Sequence, residues 1–293
     1  MKYLTPLLAL SLSFSVFAGE KVDKSLDVEA NGQVEINNTR GEITVKGWDK
    51  NQVRVKGTLD DLTEKFIFET SGDKTTIKVK LPRNTGHRSH DGSKLEVWLP
   101  QSSSMSFTGV ATDLKVEKVE GGVEINSVSG DLKISQIKKR TYVNNVSGDI
   151  DANEIEGKFE ISTVSGDLKA KISASQISVS GVSADLDINA ASFERVKAST
   201  VSGSIKLKGQ MLANGEIKMS SVSGDAYYYF TDNFDAKVSL ETAPGGRVVN
   251  EFNDVEPQTS FIDSQSLAFT SGEGSGVIRM STVSGDIGLK SGK

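Results

Sequence analysis

Apolar and polar positions along the middle of the chain follow a pattern with an 18-residue period. Between residues 123 and 140, apolar side chains stand at positions one, three and six of each nine-residue half. Positions one and three of a half face the same side of a strand, because side chains alternate along a strand. We expect position six to re-enter the core after a corner. Each 18-residue unit therefore predicts one coil with two strand arms.

The pattern covers five successive coils, from residue 105 to residue 194. Of their 30 inward positions 28 are apolar, with Thr141 and Ser173 the exceptions, whereas 36% apolar residues in the chain give about 11 by chance. The apolar pattern continues with irregular spacing towards residue 226 and returns at residues 278–289. Ala191 is expected inside as a sixth position of a second arm. The sixth positions of the first arms, also expected inside, are Val110, Val128, Val146, Val164, Val182, Val201, Val222 and Val283.

A tetrapeptide marks the same point of each coil. Val-Ser-Gly-Asp stands at residues 128–131, 146–149, 164–167, 222–225 and 283–286, with variants at 182–185 and 201–204. A short fixed period is typical of a solenoid, in which each repeat contributes one coil. The predicted fold is all-β: a parallel β-solenoid (β-helix or β-roll) with 18-residue coils.

The two ends of this region depart from the period. Residues 34–48 fit one coil, with Thr39 and Trp48 at sixth positions. Residues 53–55, 66–68, 76–79 and 95–99 predict strands with wider turns, and 71–73 a hairpin-like turn. Residues 231–276 predict a longer excursion. We therefore expect an N-terminal coil and strand-rich cap over residues 19–100, continuous with a repeat region over 101–293, and no amphipathic helix.

Residues 1–18 predict a signal peptide. A basic Lys2, an apolar stretch from residue 4 to 17 and Ala18 before the expected cleavage point fit that class, with a retained membrane anchor as the alternative. The chain has no cysteine, so stability is expected from packing and not from disulfides. The mature chain carries 33 basic and 39 acidic groups, which argues against nucleic acid or anionic membrane as its main partner. We expect a protein exported to the periplasm, the cell surface or the medium.

Periodic aspartates form the most regular candidate site. Gly before each Asp favours a structural corner, in which glycine takes an unusual backbone conformation and Asp bonds to backbone amides. The alternative is a calcium ladder of Asp131, Asp149, Asp167 and Asp185, because calcium prefers carboxylates. The known calcium roll places a glycine-rich motif in every nine residues. Here only one arm in two has Gly-Asp, so the pattern favours the corner.

Two further ladders are outward or polar. Lys133, Asp151, Lys169, Asp187 and Lys206 take the same position in successive coils, so their alternating signs are expected to hold the register. Small polar residues form a double column that favours hydrogen-bonded corners over ice binding, because it lacks a regular threonine face. Its members are Asn126, Asn144, Ser162, Ser180, Ser199 and Ser220, each followed by Ser127, Asn145, Thr163, Gly181, Thr200 and Ser221.

Two local clusters carry weaker hypotheses. His87, His90 and Asp91 provide three metal-binding types in a short polar loop, although a solvated loop is the simpler interpretation. Tyr227 and Tyr229 are expected outside the core, where they form either a sugar-stacking platform or the packed end of a coil.

The sequence gives little support for catalysis. It has no cysteine nucleophile, no Gly-x-Ser-x-Gly elbow and no phosphate-binding loop, so no catalytic residue or cofactor is predicted. A polysaccharide-active β-helix enzyme stays open as an alternative. That alternative predicts a pair of carboxylates that breaks the period in a groove beside residues 231–276.

The repeated tetrapeptide, Gly47-Trp48-Asp49 and the closing run over residues 274–287 resemble the putative-adhesin family of bacterial β-strand-repeat proteins, a domain of unknown function. The resemblance covers nearly all of the mature chain and implies the fold without an active site. We therefore hypothesise a non-catalytic, adhesin-like binding or structural module of the bacterial envelope, with an envelope protein or glycan as partner. A calcium-stabilised roll is the further alternative.

Overall fold

The computed structural model of the chain describes residues 19–83 and 92–292. The predicted signal peptide and the His87, His90 and Asp91 cluster lie outside these residues. Within them every regular element is a β-strand, and no helix is long and apolar enough to cross a membrane. The strands are β1 Lys21–Asp27, β2 Gln33–Trp48, β3 Gln52–Thr58, β4 Lys65–Ser71, β5 Lys74–Lys80, β6 Ser93–Pro100, β7 Ser104–Val119, β8 Val123–Ser129, β9 Leu132–Ile137, β10 Arg140–Asn145, β11 Ile150–Thr163, β12 Leu168–Ser180, β13 Leu186–Ser202, β14 Ile205–Ser223, β15 Ala226–Phe230, β16 Ala236–Thr242, β17 Val248–Asn250, β18 Gln258–Thr259, β19 Gln265–Ser271, β20 Gly276–Ser284 and β21 Ile287–Ser291.

Strands of successive repeats pair in parallel. Ile125 of β8 pairs with Val143 of β10, which pairs in turn with Ile161 of β11. Both steps keep the period that the sequence predicts. The second arms follow the same rule, since Ile150 of β11 pairs with both Leu132 and Leu168. Repeats that each contact only their neighbours therefore share one continuous ladder.

The chain inserts its last repeat between earlier strands. Met219 of β14 pairs in parallel with Met280 of β20, so residues 231–275 are skipped. The skipped segment forms the predicted excursion: β16 pairs in parallel with the far side of β20 and antiparallel with β19. Within this segment Phe234 stacks on Phe252 with ring centroids 4.0 Å apart. Phe234 is part of the buried core and Phe252 packs against it, so the excursion adds to the same core as the repeats.

The N-terminal region also pairs two repeats that are far apart in the sequence. Val34 and Ile43 of β2 pair in parallel with Met105 and Leu114 of β7, so the first repeat stacks directly on the repeat that begins with β7. On its other side β2 pairs in parallel with β5 and β6. The antiparallel pairs β4–β5, β3–β6 and β1–β3 complete this end and confirm the four predicted strands and the turn at Gly72.

The prediction that position six of the first arm is buried is wrong. The strand continues its alternation for one more step, so the residue before each valine points inwards and the valine points outwards. The valines are 44–56% exposed: Val110, Val128, Val146, Val164, Val182, Val201, Val222 and Val283.

Hydrogen bonding explains why a polar side chain takes the inward position. Buried Asn145 donates to the carbonyl oxygens of Ser147 at 3.1 Å and Gly148 at 3.0 Å, and Thr163 donates to the carbonyl of Ser165 at 3.3 Å. A valine there leaves turn carbonyls without a partner, which is costly in the core. The inward set of the double column, from Ser127 and Asn145 to Ser221, therefore lies at hydrogen-bonded corners, as predicted.

Three other inward predictions need correction. Ala191 is exposed, because β13 shifts register after Asn189 and buries Ala190 and Phe193 instead. Thr39 is half-buried, since Asn38 takes the inward corner position and donates to Thr112 Oγ1 at 3.1 Å. Trp48 is also half-buried and stacks on Trp98 at 6.2 Å between ring centroids.

Candidate binding surface

One outward face of the stack has an unusual composition. Each first arm presents two side chains next to each other on this face, a small polar residue and then the exposed valine. Directly paired registers align the polar residues from repeat to repeat at the strand spacing of about 4.8 Å. The valines align as well, since the backbone N–H groups of the serines that follow them donate to valine carbonyls of the preceding repeat, as Ser147 does to Val128 and Ser165 to Val146. We call the two columns together the ribbed face. Its polar column comprises Thr108, Asn126, Asn144, Ser162, Ser180, Ser199, Ser220 and Ser281, and its apolar column the eight valines named above.

The middle of the ribbed face is concave. An open groove of about 520 Å³ runs along it across five successive repeats. Its walls include Asn126, Val128, Asn144, Val146 and Val164. A long apolar stripe beside hydrogen-bonding groups is typical of binding surfaces, because single exposed apolar residues are common but aligned patches are not.

Contacts within the polar column hold its side chains in place. Asn144 Nδ2 donates to Asn126 Oδ1 at 3.1 Å and to the Tyr142 hydroxyl at 3.0 Å. The hydroxyls of Ser162 and Ser180 are 3.1 Å apart. Side chains that are already ordered lose little conformational entropy when a partner binds. The ribbed face is therefore a preorganised surface whose polar side chains can also bond to a partner.

The glycine–aspartate column lies next to the valines and has a different role. Gly148 has φ +108°, and a Cβ atom there would lie 2.2 Å from the carbonyl oxygen of Gly130 in the repeat before. Asp131 Oδ1 accepts the backbone N–H of Asp149 at 3.0 Å, and Asp149 Oδ1 accepts that of Asp167 at 2.9 Å. Each carboxylate thus binds an amide of the next repeat, which is the geometry that the structural corner predicts.

The same carboxylates are the candidate calcium ligands. The same type of hydrogen bond recurs in the next two repeats. Asp167 Oδ1 accepts the backbone N–H of Asp185 at 3.0 Å, and Asp185 Oδ1 accepts that of Ser204 at 2.7 Å. Across the described ranges, no three or more His, Asp or Glu side chains are grouped as a metal site requires. One oxygen of each carboxylate is already used by an amide. The calcium ladder therefore stays the alternative to the structural corner, to be decided by a direct binding measurement.

Tyr227 and Tyr229 lie on the outer side of β15, as predicted, and their rings form an edge contact at 6.3 Å. Tyr228, which separates them in the sequence, faces the core instead and donates to the Gly209 carbonyl at 3.0 Å. Burial and the nearby Asp225 raise the pKa of Tyr227 to about 12, so its hydroxyl stays protonated. Lys290 Nζ lies 3.6 Å from the centre of the Tyr227 ring. That lysine covers part of the platform, so a ligand role for the two tyrosines remains a hypothesis.

The groove beside the excursion bears on the enzyme alternative. It has a volume of about 390 Å³, and its walls include Lys197, Lys218, Arg279 and one carboxylate, Glu241. Among the described residues that line it there is no second carboxylate, which glycoside cleavage requires.

The charge ladder predicted from the sequence is confirmed by the registers. Lys133 pairs with Asp151 and Asp151 with Lys169. Lys169 then pairs with Asp187, which pairs with Lys206. Sequence reasoning missed the ribbed face because it placed the valines inside. The signal was present in the uniform Val at one position and in the small polar residues that stand two positions before it.

Comparison with known proteins gives a family and several distant structures. The family described as Toastrack DUF4097 matches residues 20–290. A structure described as a putative adhesin from Bacteroides fragilis NCTC 9343 is 13% identical, covers 92% of this chain and 97% of its own, and has a TM-score of 0.46. A structure described as a putative lipid binding protein from Parabacteroides distasonis ATCC 8503 is 10% identical, with coverage of 92% and 97% and a TM-score of 0.38. A structure described as a putative cell adhesion protein from Clostridium sporogenes ATCC 15579 is 9% identical, with coverage of 93% and 100% and a TM-score of 0.25. No curated protein matches the chain.

Proposed function

The chain belongs to the Toastrack DUF4097 family, and we propose that it is an exported, non-catalytic β-solenoid that binds an envelope protein or glycan through the ribbed face. The single observation that carries this proposal is the column of eight aligned valines, each 44–56% exposed. Over residues 19–83 and 92–292, burial in the core does not explain valine at these positions. An apolar stripe in water is unfavourable unless a partner covers it.

The solenoid itself is supported by the parallel pairs at 18-residue steps. Such a stack makes a long, stiff surface with a repeating side-chain pattern. Partners that are themselves extended and repetitive fit it best, because each repeat adds the same small contact. Residues 19–100 act as the N-terminal coil and its cap, since β2 is the first repeat and β5 and β6 pair with its side away from β7.

Export is tested by protease treatment of intact cells, followed by fractionation and detection of this protein. Digestion on intact cells would support a surface-exposed adhesin-like module. Protection until the outer membrane is opened would support a periplasmic partner. Recovery with the cytoplasmic fraction would contradict the proposal.

The role of the ribbed face is tested with purified mature protein and isolated cell envelopes. Val146→Ser with Val164→Ser removes apolar contact in the middle of the groove, so binding is expected to weaken about tenfold or more. The matched control is Leu212→Ser with Val255→Ser, two aliphatic side chains that are 38% and 41% exposed elsewhere. Equal binding by both double variants would exclude the ribbed face as the contact surface.

A further inference from the structure

Three cations stack on one another beside the C-terminal part of the ribbed face. Lys197 pairs directly with Lys218, and Lys218 with Arg279, in parallel register. Each stands two residues before a serine of the polar column, so all three point to the same side as that column. All three side chains are exposed. This cationic column extends the ribbed face sideways.

Like charges at paired positions repel each other, so such a pair is unfavourable unless a nearby group offsets the repulsion. Where Lys115 pairs directly with Lys133, for example, Lys115 Nζ lies 2.6 Å from Glu117 Oε1. The ladder from Lys133 to Lys206 alternates in sign at every step. In the same column as the cations but nearer the N-terminus, Glu124 and Glu160 stand on either side of the neutral Tyr142. The stacked aspartates accept backbone amides of the next repeat, whereas within the part of the chain that the structure describes the side chains of Lys197 and Arg279 have no ion pair or hydrogen bond that offsets their repulsion. Three stacked positive charges in a chain of net charge −5 are therefore a candidate site for an anionic partner.

The cations are only partly neutralised by the protein. Lys218 Nζ lies 2.5 Å from Glu216 Oε1, whereas Lys197 and Arg279 form no ion pair among residues 19–83 and 92–292. The three line the groove of about 390 Å³ together with Ser220, Ser239 and Ser281. Glu241 is the carboxylate of that lining. The groove thus offers positive charge and hydroxyl groups to a bound molecule.

We propose that this groove and the adjoining ribbed face bind an acidic glycan. The carboxylate, sulfate or phosphate groups of the glycan lie against Lys197, Lys218 and Arg279. Its hydroxyl groups bond to the serine column, and its apolar ring faces cover the valines. The inference rests on the proposed function and names the chemical class of the partner.

A glycan fits better than an acidic peptide in extended form. Peptides that bind sheets add a strand at an open edge and gain main-chain hydrogen bonds. At Lys197, Lys218 and Arg279 the strands lie inside the stack, with β14 paired on both sides by β13 and β20. Their backbone groups are therefore used by neighbouring strands. Recognition on this face has to come from side chains alone.

The test measures binding of the mature protein to polygalacturonate, heparan sulfate and phosphomannan, at low and high salt. Dextran serves as the neutral glycan, polyglutamate as the acidic peptide and phosphatidylglycerol vesicles as the anionic lipid. The variant is Lys197→Gln, Lys218→Gln and Arg279→Gln. The control is Lys133→Gln, Lys169→Gln and Lys206→Gln, which removes the same charge from another ladder.

We expect at least one acidic glycan to bind, with salt-sensitive affinity that falls about tenfold in the cation variant and stays unchanged in the control. Absence of binding to all three glycans would overturn the inference, and so would equal loss in both variants. Binding that is as strong for polyglutamate or the vesicles would also overturn it. If Val146→Ser with Val164→Ser still loses envelope binding while the cation variant keeps it, the proposed function stands and only the acidic-glycan inference fails.

Discussion

The valine and glycine of each Val-Ser-Gly-Asp segment are two residues apart and share one period, yet they have opposite environments. Gly148 is held at φ +108° with the Gly130 carbonyl too close for any side chain. Val146, two residues earlier, is 46% exposed and has space around it. The glycine column is therefore required by the backbone of the stack, whereas the valine column is not. A shared period shows that residues align, and only their contacts show whether the fold needs them.

The largest expected effect concerns the glycine column. Gly148→Ala is expected to lower the free energy of unfolding by about 3 kcal/mol, because the new methyl group collides with a backbone oxygen at a disfavoured φ. Gly72→Ala is the control, since Gly72 also has positive φ (+61°) but nothing within 4 Å of an added Cβ. That change is expected to cost about 1 kcal/mol. Equal losses in urea unfolding would show that stacking against Gly130 is unimportant.

A second test compares two valines near the end of β10, of which Val143 is buried and Val146 is exposed. Val143 is fully buried, so Val143→Ala is expected to cost about 2 kcal/mol in unfolding free energy. Val146→Ala is expected to change it by less than about 0.5 kcal/mol. Urea titrations of both variants measure the difference. A cost at Val146 close to that at Val143 would mean that the valine column packs the fold after all.

Replacement of the repeat aspartate is expected to cost less unfolding free energy than Gly148→Ala and more than Val146→Ala. Asp149→Ala removes the acceptor of the Asp167 N–H, which is bonded at 2.9 Å, and is expected to cost about 1 kcal/mol. Asp151→Ala, whose carboxylate accepts from the Asn153 side chain, is expected to cost less than about 0.5 kcal/mol. Thermal or urea unfolding of the two variants decides the order. A larger loss at Asp151 would contradict the corner role.

The last aspartate of the column gives a pH-dependent effect. The Arg247 guanidinium binds Asp286 at 2.7 Å and lowers the pKa of that carboxyl below its usual value. A lowered pKa stabilises the folded state above the ordinary carboxyl pKa, and this contribution disappears as pH falls through the lowered value. Arg247→Gln should therefore lower the unfolding midpoint slightly at neutral pH and progressively less in acid, and the effect stays small because the arginine is largely exposed. A difference from the unchanged protein that grows towards acid pH would contradict this sign.

No effect at all is expected from removal of divalent cations. If the aspartates act only as caps for amides, EDTA leaves the unfolding midpoint unchanged and added calcium does not raise it. A midpoint that falls in EDTA and recovers with calcium would favour the calcium-stabilised roll.

Much of this arrangement could be predicted from the sequence, because strand alternation and a fixed period both leave local signals. The 18-residue parallel steps, the outward Tyr227 and the buried Tyr228 follow from them directly. Alternation alone would also have placed Val128 outside, two residues after Asn126. The general preference of valine for the core argued for the opposite side. The hydrogen bonds that Ser127, Asn145 and Thr163 make to turn carbonyls decided the outcome, and they depend on the three-dimensional path of the corner.

The sequence pattern does not predict which strand the last repeat pairs with. Residues 278–289 match the period as well as any repeat, but the pattern does not say that Met280 pairs with Met219 across the excursion. The cationic column depends on that insertion, since Arg279 reaches Lys218 only because β20 lies beside β14. Long-range pairing therefore creates the part of the surface that composition could not reveal.

Cysteine footprinting can show whether the valine column contacts a partner outside the chain. The chain has no cysteine, so Val146→Cys and Val255→Cys each introduce a single reactive thiol at an exposed position. The alkylation rate of each is measured in the presence and absence of isolated cell envelopes. We predict that envelopes slow the reaction at Val146→Cys and leave Val255→Cys unchanged. Equal rates at Val146→Cys with and without envelopes would contradict a contact between the valine column and an envelope partner.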